Sequence, residues 1–171
     1  SRQRPEARFL VVGSNHYAPE QRANYEDELR HLAGVLNLGS VVRFLGHRRD
    51  VPRLLRQIDV LVQCNTAPEG FGRSVVEAMS AGVPVIASRA WSFLELIRDN
   101  HTGWLVPPGD AHALADRMVT AALDPQKRRE IGTEARTVTA ALATPSACAA
   151  AFEATLTRAA ARRSARQRML E

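Results

Sequence analysis

Short apolar segments alternate with amphipathic ones along the first hundred residues of the chain. The apolar segments are rich in β-branched residues and bounded by turn-forming residues, which predicts buried strands. They are Arg8–Ser14, Ser40–Gly46, Asp59–Asn65 and Val83–Ser88. Each is followed by a segment of helical period, so the pattern predicts an α/β, Rossmann-like fold with a parallel sheet and helices on both faces.

Periodicity and capping residues predict the helices. In the first helix, Leu29, Leu32 and Leu36 share one face, Asn24 is the expected N-cap and Gly39 the expected stop. A second helix is predicted at Asp50, with an apolar face, and a third near Arg73. Beyond these the pattern is only helical, with three expected helix starts: Asp110, Asp124 and Thr144.

Length and composition set the expected domain organisation. A chain of 171 residues with 45% hydrophobic residues can bury a full core, so a single domain is predicted over 1–171. Residues 1–7 are its start, 8–143 its core and 144–171 a C-terminal helix.

No apolar segment approaches the roughly 20 residues that span a bilayer. Cys64 and Cys148 lack metal-site spacing and are predicted to be buried thiols in a reducing cytoplasm.

The formal net charge of +5 raises the question of a polyanionic partner. The basic residues concentrate in a C-terminal group of arginines, and the charge elsewhere is close to balanced. The arginines of this C-terminal group are Arg158, Arg162, Arg163, Arg166 and Arg168. Contact of this basic tail with an anionic membrane or with nucleic acid stays an alternative, and nucleic acid is the less expected of these two partners. The simpler interpretation is a helix that packs through Phe152 and Leu156 and leaves its arginines in water.

The segment Glu69–Glu77 is the strongest candidate for chemistry. It follows a predicted strand, where ligands bind in doubly wound sheets, and it opens a helix with two glycines. Glycines let the backbone approach a ligand closely, and the first amides of a helix favour an anion such as a diphosphate. Glu69 and Glu77 would stand on either side of that anion, and carboxylates suit the hydroxyls of a ribose and of a sugar. The pattern therefore favours a sugar nucleotide.

Longer stretches of the chain are similar to one known family. The matching segments are Pro68–Gly72, Glu77–Met79, Ala81–Ala87, Glu95 and Thr102–Val106, preceded by Val41–Gly46 and Asp59–Val62. In this order they resemble the C-terminal domain of glycosyltransferase family 4 (group 1), over roughly residues 7 to 140. The resemblance implies the C-terminal half of a GT-B fold and a cytoplasmic retaining glycosyltransferase of carbohydrate biosynthesis. It also implies a UDP-, GDP- or ADP-sugar as donor, with no metal or other cofactor.

The resemblance also implies roles for particular residues. Glu69 would contact the donor sugar and Glu77 the ribose, while the Gly46–His47 loop would border the base. The backbone that holds the diphosphate would come from Gly70, Phe71, Gly72, Arg73 and Ser74.

Other polar clusters do not form a second candidate. No DxD occurs, and Glu26-Asp27-Glu28, the nearest approach to it, is expected at a helix start where acids complement the helix dipole. The histidines lack metal-ligand spacing; they are His16, His31, His47, His101 and His112. Ser92 and Glu95 have the spacing of a capping box.

The chain departs from the family pattern in two places. Trp91-Ser92 stands where paired glycines commonly precede a helix, so an indole is expected near the sugar or the acceptor. The arginine and lysine that usually pair with the donor phosphates are not matched: Lys127 is the only lysine, and Arg2 and Arg4 lack the expected strand-helix context. The expected reason is that these groups and the N-terminal acceptor domain lie outside the chain, which alone would be inactive. The alternative is a non-catalytic nucleotide- or sugar-sensing module.

Overall fold

The computed structural model describes residues 7–13, 25–142 and 144–168, and strands alternate with helices as far as the fifth strand. Two compact units divide between Leu54 and Leu55, and each is described by itself. The predicted N-cap Asn24, together with Arg2, Arg4 and His16, lies outside the described residues. The prediction of a single domain over 1–171 stays a prediction.

The first unit contains a parallel pair of strands and one helix, namely β1 (Phe9–Val12), α1 (Tyr25–Val35) and β2 (Val42–Gly46). Phe9 pairs with Val42, and the register shifts between Val11 and Val12. No residue of α1 is buried. The expected stop at Gly39 is wrong, because Asn37 ends the helix: it adopts φ 54° and the Leu38 amide donates to the Ala33 carbonyl at 2.8 Å.

The second unit contains a three-stranded parallel sheet in the order β3-β4-β5. The strands are β3 (Leu61–Gln63), β4 (Val85–Ser88) and β5 (Trp104–Val106). The helices of this part of the chain are α2 (Val51–Leu55), which lies at the division, α3 (Arg73–Ser80), α4 (Phe93–Leu96), α5 (Ala111–Leu123), α6 (Pro125–Leu142) and α7 (Pro145–Arg168). All of β4 is buried, which is typical of a central strand covered on both faces.

The core of this unit lies between the sheet and its helices. On one side Ile86, Trp104 and Val106 pack with Ala121 of α5 and Ile131 of α6. Helix α3 contacts β3, β4 and α6 through a face that includes three buried residues, Val75, Ala78 and Met79. The second unit therefore carries its own hydrophobic core beneath the loops that follow its strands.

Helix α6 approaches the turn after α3 very closely at a glycine. A Cβ added at Gly132 would lie 2.1 Å from the carbonyl oxygen of Gly82. Any side chain at this position must displace backbone, so the packing of α3 on α6 depends on glycine here.

The α/β class, the four predicted strands and the helix starts at Asp110, Asp124 and Thr144 are confirmed. Each of these three side chains accepts a backbone amide of its helix. The fifth strand was not predicted. The Asp50 carboxylate does not cap α2, because it pairs with the Arg48 guanidinium at 2.8 Å.

Three expectations about burial are wrong. Cys64 and Cys148 are exposed. Phe152 is 65% exposed, so α7 does not pack through it. The side chains of Leu156 and of the arginines from Arg162 onward lie outside the described part of the chain. Among the described residues, no helix combines the length and apolarity needed to cross a bilayer.

Candidate functional site

The loop between β3 and α3 lies at the carboxyl end of the parallel strands and ends in a glycine that the backbone requires. Gly72 is the N-cap of α3, with φ 79° and ψ 49° in the left-handed region. A Cβ here would lie 2.8 Å from Cε1 of Phe93, whose ring is fully buried. The loop therefore turns into the helix directly over the Phe93 ring, and the predicted helix start at Arg73 is confirmed.

The Glu69 carboxylate folds back onto this turn. Its Oε1 accepts the backbone amides of Gly72 at 3.1 Å and Phe71 at 3.4 Å. Its Oε2 accepts the side-chain amide of Asn65 at 3.4 Å. Glu69 is half-buried, so a carboxylate with three donors around it is held in one orientation by the loop itself.

The remaining amides of the helix start are open. Within the part of the chain that the structure describes, the backbone amides of Arg73 and Ser74 donate to no protein acceptor. Space is also open at Gly70, where an added Cβ would meet no atom within 4 Å. Because Phe71 and Gly72 already donate to Glu69, the donors available to an anion are those of Arg73 and Ser74.

Glu77 lies one turn into α3 and is exposed. Its carboxylate is 3.6 Å from Nη2 of Arg73, and the two side chains are 45% and 85% exposed. An exposed ion pair of this kind contributes little and is easily exchanged for another partner. Glu77 is therefore available to a ligand, on the helix that also presents the open amides.

Gly46 and His47 belong to the first unit. Gly46 ends β2 with φ 61°, and its carbonyl accepts the Gly13 amide at 2.9 Å. His47 is exposed, as are the other described histidines, and the neighbouring Arg48 guanidinium pairs with Asp50. The hydrogen bond from Arg48 lowers the pKa of the Asp50 carboxyl below its ordinary value. The base contact predicted for Gly46 and His47 stays a prediction.

The expected capping box at Ser92 and Glu95 is wrong. The Ser92 side chain makes no capping hydrogen bond to α4, and Glu95 is exposed. The Ser92 hydroxyl instead donates to the backbone carbonyl of Glu69 at 3.1 Å. The preceding Trp91 adopts φ 53°, a left-handed conformation that costs a bulky side chain energy. The loop after β4 is thus hydrogen-bonded to the loop that carries Glu69.

Polar residues missed by the sequence interpretation surround Glu69. Gln63 donates to Asn65 Oδ1 at 2.7 Å, and the Ser74 hydroxyl donates to Gln63 Oε1 at 3.0 Å. Ser88, which is 1% exposed, donates to the Asn65 carbonyl at 2.7 Å. A signal was present, since Gln63 and Asn65 alternate at the strand end and so share one face just before Glu69.

The described residues contain no group of three or more histidine, cysteine or acidic side chains that could hold a metal ion. The acids Glu26, Asp27 and Glu28 lie in the first turn of α1, as expected, and Glu26 pairs with Arg30 at 2.6 Å.

Comparison with solved structures places the fold among the GT-B glycosyltransferases. Anabaena HepE in complex with UDP-glucose superposes with a TM-score of 0.74 and 36% identity, over 79% of this chain and 36% of that one. Sucrose-phosphate synthase from Thermosynechococcus elongatus superposes with a TM-score of 0.77 and 30% identity, over 94% and 40% of the two chains.

Comparison of sequences identifies the family. The family described as glycosyl transferases group 1 matches residues 1–138, and the chain belongs to it. A phosphatidyl-myo-inositol mannosyltransferase from Mycobacterium leprae is 44% identical over 96 residues, which are 55% of this chain and 25% of that protein. The chain thus spans between 25% and 40% of the length of these three proteins.

Proposed function

We propose that this chain binds a nucleoside-diphosphate sugar and serves as the donor-binding part of a retaining glycosyltransferase. The observation that carries the proposal is the arrangement at the start of α3. A fixed carboxylate, Glu69, lies on the loop side of two open amides, and an exposed carboxylate, Glu77, lies one turn beyond them. A sugar nucleotide has hydroxyls at both ends of its diphosphate and suits this order of groups.

Each group has a distinct part in the proposed reaction. The amides of Arg73 and Ser74, next to the open space at Gly70, hold the diphosphate and stabilise the charge that develops as it departs. Glu69 accepts hydrogen bonds from the sugar and holds it as it becomes oxocarbenium-like. Glu77 accepts from the ribose after leaving Arg73. The reaction proceeds with retention and uses no metal in this proposal.

The relatives support the donor class. Anabaena HepE was solved with UDP and with UDP-glucose, and the mycobacterial relative is named as a mannosyltransferase. The first is a protein of the same fold that was solved with a nucleotide sugar, and the second is named for the transfer of a sugar.

A binding screen tests the proposal on the chain itself. UDP-glucose, GDP-mannose and ADP-glucose are titrated into the wild-type chain by calorimetry, together with the Glu69→Ala and Glu77→Ala variants. We expect at least one donor to bind the wild type and both variants to lose at least tenfold in affinity, because each removes a charged hydrogen-bond acceptor. A folded wild-type chain that binds none of the three, or variants that bind as tightly as wild type, would contradict the proposal.

A transfer assay extends the test to activity. In a glycosyltransferase that contains this chain, Glu69→Ala and Glu77→Ala should each abolish sugar transfer without unfolding the protein. Wild-type rates in either variant would remove the assigned roles. Retention is checked separately by the anomeric configuration of the product.

A further inference from the structure

Hydrogen bonds between side chains connect the first turn of α3 to the Glu69 carboxylate. They run from the Ser74 hydroxyl to Gln63, from the Gln63 amide to Asn65, and from the Asn65 amide to Glu69. The donor–acceptor distances are 3.0, 2.7 and 3.4 Å. We call these four residues the amide relay.

The direction of the relay is fixed by chemistry. An ionised carboxylate only accepts, so Asn65 must present its NH₂ group to Glu69. Its carbonyl oxygen then faces Gln63, which must in turn present its NH₂ group to Asn65. The Gln63 oxygen is left to accept from the Ser74 hydroxyl. Every donor therefore points toward Glu69, and hydrogen bonds aligned in this way polarise and strengthen one another.

The backbone of the same loop is held independently by two hydroxyls. The buried Ser88 donates to the carbonyl of Asn65 at 2.7 Å, and Ser92 donates to the carbonyl of Glu69 at 3.1 Å. Both ends of the segment 65–69 are thereby tied to β4 and the loop that follows it. With the backbone held at both ends, the orientation of the Glu69 carboxylate depends on the hydrogen bonds of its own side chain.

We propose that Gln63 and Asn65 are positioning residues, which orient the Glu69 carboxylate toward the donor sugar and link that orientation to the helix start at Ser74. The inference rests on the proposed function for the ligand that Glu69 meets. Neither amide touches the donor in this proposal; each acts through Glu69. The relay begins on the residue whose backbone amide is open to the diphosphate, so the two parts of the donor site share one hydrogen-bonded connection.

Isosteric substitutions test the direction of the relay. Gln63→Glu keeps the acceptor for Ser74 but removes the donor to Asn65, so the Asn65 amide turns its NH₂ group toward position 63 and its oxygen toward Glu69. Asn65→Asp removes the donor to Glu69 directly. Ser74→Ala removes only the first donor. Gln57→Glu is the matched control, because it adds the same charge at an exposed glutamine outside the relay.

The first measurement needs no ligand. In ¹H–¹⁵N NMR spectra of the free chain, the backbone amides of Phe71 and Gly72 report on the carboxylate they donate to. We expect Gln63→Glu to shift both resonances, although residue 63 is hydrogen-bonded to neither amide, and Gln57→Glu to leave them in place. Unchanged Phe71 and Gly72 resonances in a folded Gln63→Glu chain would overturn the relay.

The second measurement compares each donor with its own nucleoside diphosphate: UDP-glucose with UDP, GDP-mannose with GDP, and ADP-glucose with ADP. The ratio of the two affinities reports on the contribution of the sugar, and Gln57→Glu gives the change in this ratio that an added charge alone produces. We expect the ratio to fall about tenfold in Asn65→Asp and about fivefold in Gln63→Glu, the loss expected for one charged hydrogen bond. Ser74→Ala should lower it less.

The two proposals fail in different ways. A wild-type chain that binds none of the six ligands contradicts the proposed function, and the NMR result still decides the relay. A wild-type chain that prefers the sugar nucleotide, with the same preference in Asn65→Asp and Gln63→Glu, contradicts the relay alone. An equal loss for sugar nucleotide and diphosphate also contradicts it, because that result is what a merely structural role produces.

Discussion

The two carboxylates of the candidate site are held in opposite ways. Glu69 is half-buried and accepts three hydrogen bonds, from the amides of Phe71 and Gly72 and from Asn65. Glu77 is exposed and forms an ion pair with Arg73 at 3.6 Å on the helix surface. A group that must meet a reacting sugar gains from a fixed position, whereas a group that grips a ribose hydroxyl only needs to be within reach. The difference therefore matches the two roles proposed for them.

The largest expected effect comes from breaking the turn that orients Glu69. Gly72→Ala places a methyl group 2.8 Å from the Phe93 ring at a residue with φ 79°. We expect the free energy of unfolding to fall by roughly 2–4 kcal/mol, from the left-handed conformation and the overpacking together. Urea denaturation followed by circular dichroism measures it.

Gly70→Ala is the matched control, because its backbone is not left-handed and the added methyl group meets no atom within 4 Å. We expect its stability to stay within about 1 kcal/mol of wild type. Equal destabilisation in the two alanine variants would show that the left-handed turn at Gly72 does not determine the conformation of the loop.

Removing each carboxylate in the absence of ligand sharpens the comparison. Glu69→Ala leaves the Phe71 and Gly72 amides without their acceptor, so we expect a loss of about 1–2 kcal/mol. Glu77→Ala removes only an exposed ion pair and should change stability by no more than about 0.5 kcal/mol. Thermal unfolding of the two variants side by side gives the difference, and similar losses in both would remove the distinction between a fixed and a free carboxylate.

The smallest effect is expected at Arg73. Arg73→Ala frees Glu77 from its exposed partner and should change stability by at most about 0.5 kcal/mol, with a smaller change still at high salt. Urea denaturation at low and at high ionic strength measures the change in stability and its dependence on salt. A loss above 1 kcal/mol that persists at high salt would mean that the Arg73–Glu77 pair is a structural element and that Glu77 is not free to receive a ligand.

The strand-helix alternation and the helix starts could be predicted because they depend on local pattern and local capping. Asp110 caps α5 through the amide of Ala113, three residues away, and such signals are contained in the sequence around them. Strand β5, Trp104–Val106, was missed because its short apolar run ends at Pro107 and shows no alternation. Strand β3 is equally short but lies within the longer predicted segment Asp59–Asn65.

The contacts around Glu69 could not be predicted because they join residues far apart in the chain. Ser92 has the spacing of a capping box, yet its hydroxyl reaches the Glu69 carbonyl, 23 residues away. Ser88 likewise reaches Asn65. The sequence placed Glu69 and Glu77 on either side of a helix start. Only the loop conformation shows that Glu69 itself occupies the Phe71 and Gly72 amides, which leaves Arg73 and Ser74 for the proposed diphosphate.

The most direct test of the two proposed roles is a calorimetric comparison of three ligands, UDP-glucose, UDP and 2′,3′-dideoxy-UDP, on wild type, Glu69→Ala and Glu77→Ala, or the corresponding set for whichever base binds. We expect wild type to prefer the sugar over UDP and UDP over the dideoxy compound. Glu69→Ala should lose only the first preference, and Glu77→Ala only the second. Loss of both preferences together in either variant, or retention of both, would contradict the division of the donor between the two carboxylates.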